Sequence, residues 1–174
     1  LNGEKKENRR LILEWFKKMN ARLHASGSYV LLIKLSDPTE IQVGALGKLE
    51  LQRGWLFYVG SAFGAGGIAG RLKHHLQPSR RPRWHIDYVR LHAPLMGVWF
   101  ANGQRNLEHQ WAATLRGHAA LSEPMQGFGA SDCRCHTHLF FASLKCHSED
   151  IVNVLQSRRT SCAVDFLSQD QLHL

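Results

Sequence analysis

Two short runs that join tyrosine to glycine and serine constrain the fold of this chain most. The runs are Gly27-Ser28-Tyr29 and Tyr58-Val59-Gly60-Ser61. Each lies at one end of a segment rich in β-branched and long apolar residues, at 28–35 and 55–59, which is typical of a β-strand. Neighbouring strands would bring the two tyrosines side by side. The runs therefore predict a sheet that carries a pair of phenol groups in one place.

The second run opens into a glycine-rich basic segment over residues 62–76. Its apolar residues repeat every fourth position and predict the buried stripe of an amphipathic helix, at Ile68, Leu72 and Leu76. Arg71 and His75 are also four apart, so they share a ridge beside that stripe. A guanidinium near a helix N-terminus, where backbone N–H groups are exposed, favours the binding of a phosphate. The segment thus predicts a phosphate site next to the tyrosines.

The basic residues are distributed unevenly along the chain. The formal net charge is +8 over 174 residues, and between residues 71 and 90 the Lys and Arg side chains are opposed only by Asp87. Such a patch favours polyanions, above all nucleic acid, whereas a solvated basic face without a partner is the alternative. We expect DNA to contact the patch through Lys73, Arg80, Arg81 and Arg83.

The composition, 44% hydrophobic and 21% charged, is typical of a globular protein. No apolar run approaches the length of a membrane span, and no signal peptide is visible. We therefore expect no membrane partner and an intracellular location, cytoplasmic or nuclear. Cys133 and Cys135 are too close in sequence to pair without strain, so we expect reduced thiols.

The order of the tyrosine runs and the basic helix resembles the GIY-YIG nuclease superfamily, with Gly27-Ser28-Tyr29 standing for GIY and Tyr58-Val59-Gly60 for YIG. Three longer stretches resemble one branch of it, the DUF123 family. They are Gly54-Trp55-Leu56-Phe57-Tyr58-Val59-Gly60-Ser61-Ala62, Trp84-His85-Ile86-Asp87-Tyr88 and Gly129-Ala130-Ser131-Asp132-Cys133-Arg134-Cys135-His136-Thr137-His138-Leu139-Phe140. The resemblance covers roughly residues 27–143.

The resemblance implies an α+β fold, with a small mixed or antiparallel β-sheet flanked by helices, over residues 27–157. The alternation of strand and helix patterns along the chain agrees with one such domain. Ahead of it, residues 1–26 predict an added basic amphipathic helix, for which packing on the core is favoured over contact with DNA. Residues 158–174 have no convincing periodicity and are expected to form a tail.

The resemblance also implies an activity: hydrolysis of phosphodiester bonds in DNA, branched or damaged DNA included, by a metal-dependent endonuclease of the repair type. Glu108 would hold the single metal, Mg²⁺ or Mn²⁺, and Arg71 the scissile phosphate. Tyr29 or Tyr58 would take the proton from the attacking water, and His75 would position water or phosphate. The structural alternatives are a glutamate on a solvated helix face and tyrosines packed in the sheet. The functional alternative is a non-catalytic nucleic-acid-binding module on the same scaffold.

Five further residues are expected to support the site: His85, Asp87, Ser131, Asp132 and His138. His85 and Asp87 lie two apart on a strand predicted over 85–91, so they share a face and could form a hydrogen-bonded pair. That pair would either orient a histidine for catalysis or tie the strand to a loop. The supporting asparagine of the superfamily has no clear counterpart, and Ser131 or Asp132 could replace it. Asp132 and His138 would help to close the cleft.

A run of cysteines and histidines raises the question of zinc, at Cys133, Cys135, His136 and His138. Its spacing is tighter than that of the usual zinc motifs, and four ligands in one site would strain the backbone. Two of them with His109 or His85 could form a site. Zinc is nevertheless not expected, and the cysteines are expected to pack as small apolar groups. A metal-stabilised interaction domain centred on this loop is a third alternative, and its protein partner is unknown.

Overall fold

The computed structural model describes residues 2–77, 80–145, 148–156 and 162–172 of the chain. Its helices and strands are, in chain order, α1 (Asn2–His24), β1 (Gly27–Leu35), β2 (Thr39–Val43), β3 (Gly47–Leu51), β4 (Gly54–Ala62), α2 (Gly67–Leu76), α3 (His85–Arg90), β5 (Leu95–Asn102), α4 (Leu107–Arg116), β6 (Leu139–Ala142), α5 (Ser148–Leu155) and β7 (Asp165–Ser168). Among these described residues, no helix is both long and apolar enough to cross a lipid bilayer.

A five-stranded sheet of order β6-β4-β1-β5-β7 forms the centre of the protein. All its pairings are antiparallel. β1 pairs with β4 along its whole length, which sets Tyr29 opposite Gly60. β2 and β3 form a separate two-stranded sheet from the segment between the two tyrosine runs. The predicted α+β class, with a small sheet flanked by helices, is confirmed.

The central strand β1 is buried on both faces. Tyr29, Leu31 and Ile33 belong to a core that includes residues of α2, α3 and the β2–β3 sheet. Val30 and Leu32 belong to a second core, which includes residues of α4 and α5. The two-residue period of a strand produces this alternation. As a result, Tyr29 lies on the same side of the sheet as α2.

The segment predicted as a strand over 85–91 is helix α3 instead. The Asp87 carboxylate accepts hydrogen bonds from the backbone N–H groups of Arg83 and Trp84, at 2.9 and 3.0 Å. A carboxylate three residues into a helix satisfies N-terminal donors in this way. The strand prediction was wrong because a short apolar run fits the period of a strand as well as that of a helix. The hydrogen bonds of the Asp87 carboxylate, which local periodicity does not show, stabilise only the helix.

Helix α1 contacts the core near its C-terminal end. Leu23 is buried and Met19 packs partly against the same core, whereas Trp15 and Phe16 are 45% and 59% exposed. The expected packing on the core therefore holds for the last turns of the helix and not for these aromatic residues. Arg22 anchors this end through an ion pair of 2.8 Å with Asp165.

The segment predicted as a tail contributes an edge strand, β7. It pairs with β5 so that Phe166 lies opposite Trp99, with ring centroids 5.0 Å apart. Four residues are too few to give a clear period, and the strand forms because β5 offers a free edge. The tail prediction is corrected for residues 162–172, and the rest of that segment lies outside the described residues.

Candidate active-site cleft

An open cavity of about 320 Å³ lies where β1 and β4 meet helices α2, α3 and α4. Eight of the predicted site residues line it: Tyr29, Tyr58, Arg71, Arg83, His85, Glu108, Ser131 and Asp132. His75 contacts the cavity wall through Tyr29, and His138 lies next to Glu108. The fold thus gathers side chains that are far apart in the sequence. Their chemical roles stay predictions.

Tyr29 stands on β1 with its ring against Gly60 of β4. A Cβ atom at position 60 would lie 2.5 Å from the Tyr29 ring and hydroxyl, so glycine leaves the space that the phenol occupies. The hydroxyl oxygen lies 2.8 Å from Nε2 of His75. Burial raises the pKa of Tyr29 well above its ordinary value and Tyr58 raises it further, while Arg71 acts in the opposite direction.

His75, on α2, is buried directly beneath the cavity. Burial, helped by neighbouring His74, lowers the pKa of His75 to about 3, so its ring is neutral at neutral pH. Its Nδ1 atom has no hydrogen-bond partner among the described residues. Because a buried N–H without a partner is rare, we assign the ring proton to Nε2, which donates to the Tyr29 oxygen. The hydroxyl proton of Tyr29 is then available to the cavity.

Tyr58, on β4, presents the second phenol to the cavity. Its ring packs edge-on against Phe128, with centroids 6.0 Å apart. Burial raises the pKa of Tyr58, the Glu108 carboxylate raises it further, and Arg71 opposes both. Both phenols are therefore protonated at neutral pH and act as hydrogen-bond donors. A phenolate would form only with additional positive charge in the cavity.

Arg71 lies on α2, with its guanidinium carbon 4.5 Å from the centre of the Trp84 ring. Stacking of this kind orients the planar guanidinium. Among the ion pairs of the described residues, none uses Arg71, so its donors are available to an anion. The N-terminus of α2 offers fewer free N–H groups to a phosphate than predicted, because the Ile68 N–H donates to the Ala25 carbonyl at 3.2 Å.

Glu108 lies in the first turn of α4, and its side chain is 16% exposed. Burial alone would raise the pKa of this carboxyl, but the neighbouring polar groups of His138 and Ser61, with the charges of His138 and His109, lower it. The group is therefore ionised at neutral pH and borders the cavity. One carboxylate beside space for water suits Mg²⁺, which keeps several water ligands.

His85 and Asp87 make separate contacts and do not form the predicted pair, because residues two apart on a helix face different directions. His85 lines the cavity, and its Nδ1 accepts from the Gly129 N–H at 2.9 Å. Burial lowers the pKa of His85, so Nε2 carries the proton.

The Asp87 carboxylate is buried and turned toward α2, where Nε2 of His74 lies 2.9 Å away. Burial would raise the pKa of Asp87, but the backbone N–H groups of Trp84 and Arg83, and then His74, lower it. Asp87 therefore stabilises the start of α3 and its contact with α2. It does not line the cavity.

The four residues expected to contact DNA are exposed around α2 and α3: Lys73, Arg80, Arg81 and Arg83. Arg90, from the same basic run, is buried and donates to the backbone carbonyls of His75 and Ala93, so it belongs to the interior. A second cavity, of about 420 Å³, shares Arg71 and Glu108 with the first and adds Arg105. Asp132 also lines it, so groups of both charges continue past the cleft toward α4.

A cluster of two cysteines and two histidines lies beside Glu108: His109, Cys133, Cys135 and His138. Their ligand atoms all lie within 4.8 Å of one another and could hold a metal ion. Both cysteines are free thiols, as predicted. His136, from the same run, contacts Glu123 at 2.7 Å instead. The four residues of the run therefore do not share one site. Three of them join His109 of α4, which is one more than the two that were expected to combine with His109 or His85.

Three residues around the cleft were not predicted: Ser61, Trp84 and Arg105. Ser61 directly follows Gly60 near the end of β4, so its place in the second tyrosine run could have identified it as a site residue. Trp84 follows a basic loop, and nothing in the local pattern indicates that it stacks on Arg71. Arg105 precedes α4 in a segment without periodicity, where it lies over the Phe63 ring at 4.9 Å.

Comparison with known proteins gives one family. The model of the family described as Domain of unknown function DUF123 matches residues 28–160, which include every residue that lines the cleft. The curated proteins and the solved structures contain no match to the chain. Because the family model matches most of its length, the chain belongs to the DUF123 family.

Proposed function

We propose that this protein is a divalent-metal-dependent phosphodiester hydrolase acting on DNA, an endonuclease of the GIY-YIG type that it resembles. One observation carries the proposal: Tyr29, Tyr58, Arg71 and Glu108 line a single open cavity. A guanidinium, a carboxylate and two phenol donors are the groups that a bound phosphodiester and a cation require. The exposed basic residues beside the cavity support a polyanionic substrate.

Arg71 would hold the scissile phosphate. Its guanidinium is oriented by Trp84, and two of its N–H groups can donate to two phosphate oxygens at once. The Tyr29 hydroxyl, whose proton His75 leaves available, would donate to one of the same two non-bridging oxygens. Arg83 and the other exposed cations around α2 and α3 would hold the flanking phosphates. Together these contacts would fix the phosphorus opposite the attacking water.

Glu108 would hold Mg²⁺ or Mn²⁺, which when bound supplies positive charge to the reacting phosphate. His138 and Ser61 keep this carboxylate ionised and fixed in direction. Glu108 is therefore suited to bind a cation in the cavity rather than to transfer a proton.

Hydrolysis joins a water oxygen to the phosphorus, breaks the bond to one sugar oxygen and delivers a proton to that leaving oxygen. Arg71 would neutralise the charge that develops on the phosphate. Tyr58 and Tyr29 have raised pKa values, so either can act as the base only as a phenolate, after its own proton has passed to solvent, and this requires further positive charge in the cavity. The phenolate would then take one proton of the attacking water, and the leaving sugar oxygen would receive a proton from solvent. Before that, each orients water or phosphate as a donor.

The same raised pKa values favour a second candidate function, a non-catalytic module that binds nucleic acid through the same surface. Without a phenolate the cleft would retain phosphate binding by Arg71 and lose efficient cleavage. The cytoplasmic or nuclear location and the absence of a membrane partner stay predictions from the sequence.

Cleavage of nicked, branched and abasic DNA in Mg²⁺ or Mn²⁺ tests the proposal. We expect metal-dependent cutting by the wild-type protein and its loss in Glu108→Ala. The matched control is Glu50→Ala, which removes an exposed glutamate from β3 and should keep activity. Salt-sensitive DNA binding without cutting in any metal would favour the binding module, and cutting that survives Glu108→Ala would contradict the assigned role.

A further inference from the structure

The His/Cys cluster has a geometry that the proposed hydrolysis does not use. Nε2 of His138 lies 3.6 Å from Sγ of Cys133, and Nδ1 of His109 lies 3.3 Å from Sγ of Cys135. Tetrahedral zinc with bonds of about 2.0–2.3 Å separates its ligand atoms by about 3.3–3.8 Å. These two separations agree with neighbouring ligands of one zinc ion, whereas the whole set of four, which lies within 4.8 Å, would have to draw slightly closer around it.

The kind of ligand also favours zinc. Two thiol sulfurs and two imidazole nitrogens form a tetrahedral set that suits Zn²⁺, whereas Mg²⁺ and Ca²⁺ prefer oxygen ligands. Four protein ligands fill the tetrahedron and leave no position for a substrate. The cluster is therefore suited to a structural ion, in contrast to the single carboxylate that faces the cleft.

A second contact links the cluster to the cleft. His138 is 1% exposed, and Oε1 of Glu108 lies 3.2 Å from its Nδ1 atom. This nitrogen has no well-aligned hydrogen bond among the described residues. A histidine that binds metal through one ring nitrogen usually donates the other N–H to a carboxylate. Glu108 stands where such a carboxylate is expected.

The cluster also joins two segments that form the cleft. His109 belongs to α4, one residue after Glu108, while both cysteines belong to the loop that carries Ser131 and Asp132. An ion at this point would hold the loop against α4. The loop is also held by its own backbone hydrogen bonds, such as that from the Cys133 N–H to the Ala130 carbonyl at 3.4 Å, and the Gly129 N–H donates to His85.

We propose that His109, Cys133, Cys135 and His138 bind one zinc ion, which fixes the His138 ring so that its Nδ1–H donates to Glu108. His138 is then a positioning residue for the carboxylate of the cleft. The zinc site goes beyond the proposed hydrolysis, because it would form whether or not the protein cuts DNA.

Metal analysis of the full chain, purified without chelators, is the first test. We expect one zinc ion per chain, lost in the double variant Cys133→Ser/Cys135→Ser and kept in Cys162→Ser, which removes a cysteine outside the cluster. His136→Gln should also keep zinc. Zinc retained by the double-serine variant, or no zinc in the reduced wild type after reconstitution with Zn²⁺, would overturn the proposal.

Because the double variant could fail to fold, the wild-type protein is also loaded with Co²⁺ after the zinc is removed. Tetrahedral cobalt with two thiolates gives intense visible and charge-transfer absorption, and its absence would overturn the proposed ligand set.

Nitrogen-15 NMR of the zinc-loaded protein then tests the position of His138. We expect metal at Nε2 and a proton at Nδ1, with zinc retained in Glu108→Gln. The reverse assignment of the ring nitrogens would refute the link to Glu108. None of these readouts requires DNA, so they are independent of the proposed hydrolysis.

Discussion

The hydroxyl oxygen of Tyr29 lies 2.8 Å from Nε2 of His75, in the buried layer beneath the cleft. This hydrogen bond joins the central strand β1 to helix α2, which also carries Arg71. The phenol and the guanidinium are thus held by one contact between a strand and a helix. Because His75 is buried and neutral, the contact has consequences for stability as well as for the cleft.

The protein should lose stability below neutral pH because of His75. Burial lowers the pKa of His75 to about 3 in the folded state, whereas an unfolded histidine titrates near about 6.5. Between these values the unfolded state binds a proton that the folded state does not, so the free energy of unfolding falls as the pH falls. The loss at about pH 5, relative to neutral pH, is about 2 kcal/mol. Chemical denaturation at a series of pH values measures it.

The control for this prediction is a variant without the titrating group. His75→Gln should flatten the pH dependence between about pH 4.5 and 6.5, while His92→Gln, at an exposed position, should keep the wild-type slope. His85, whose pKa burial also lowers, adds in the same direction. Below about pH 4, protonation of Asp87, whose pKa is lowered, removes further stability. An unchanged slope in His75→Gln would contradict the assignment.

Gly60→Ala should displace the Tyr29 ring. The new Cβ would lie 2.5 Å from the ring and hydroxyl, so the ring must move and its bond to His75 must break. We expect a loss of about 1–3 kcal/mol in the free energy of unfolding, measured by denaturant melts. Gly64→Ala is the matched control, since nothing lies within 4 Å of its Cβ. Equal stabilities of the two variants would show that the cleft tolerates the added methyl.

Arg71→Lys should weaken DNA binding although it preserves the charge. Lysine cannot donate two parallel hydrogen bonds to a phosphate or stack as a plane on Trp84. We expect the dissociation constant for a short duplex to rise about tenfold, which corresponds to the loss of one charged hydrogen bond. Fluorescence anisotropy measures the change, and Arg53→Lys, at an exposed position outside the cavity, serves as the control. An affinity equal to that of the wild type would exclude bidentate binding.

Neutralising the exposed cations of α2 and the following loop should reduce the salt dependence of DNA binding. Each lost phosphate contact lowers the slope of log affinity against log salt by about 0.9. Lys73→Ala/Arg83→Ala should therefore reduce the slope by about 2. The measurement is a salt titration of affinity, with Arg53→Ala as the reference. A slope that matches the reference would move the DNA surface elsewhere on the protein.

Local patterns identified most of the elements that form the cleft. The apolar runs around Tyr29 and Tyr58 predicted two strands, and the four-residue period of Ile68, Leu72 and Leu76 predicted α2. These predictions succeeded because the information lies within a few neighbouring residues, where a strand or helix period is visible.

Other features depended on residues far apart in the chain. Helix α3 was predicted as a strand because its cap at Asp87 and its contact with His74 do not appear in a periodic pattern. β7 forms on the free edge of β5, and His109 joins the cysteines from a different element. Trp84 orients Arg71 only because α3 turns back toward α2. None of these contacts leaves a signal in the local sequence.

The sequence by itself determined the strand and helix patterns, the basic surface and the set of side chains from which a phosphate site could be built. Only the tertiary structure decided that the two phenols, Arg71 and Glu108 share a cavity, and that His138 stands between Glu108 and the cysteines. The physical reason is that strand and helix periods arise from nearest neighbours along the chain. Burial, pKa shifts and ligand geometry arise instead from groups that meet only when the chain folds.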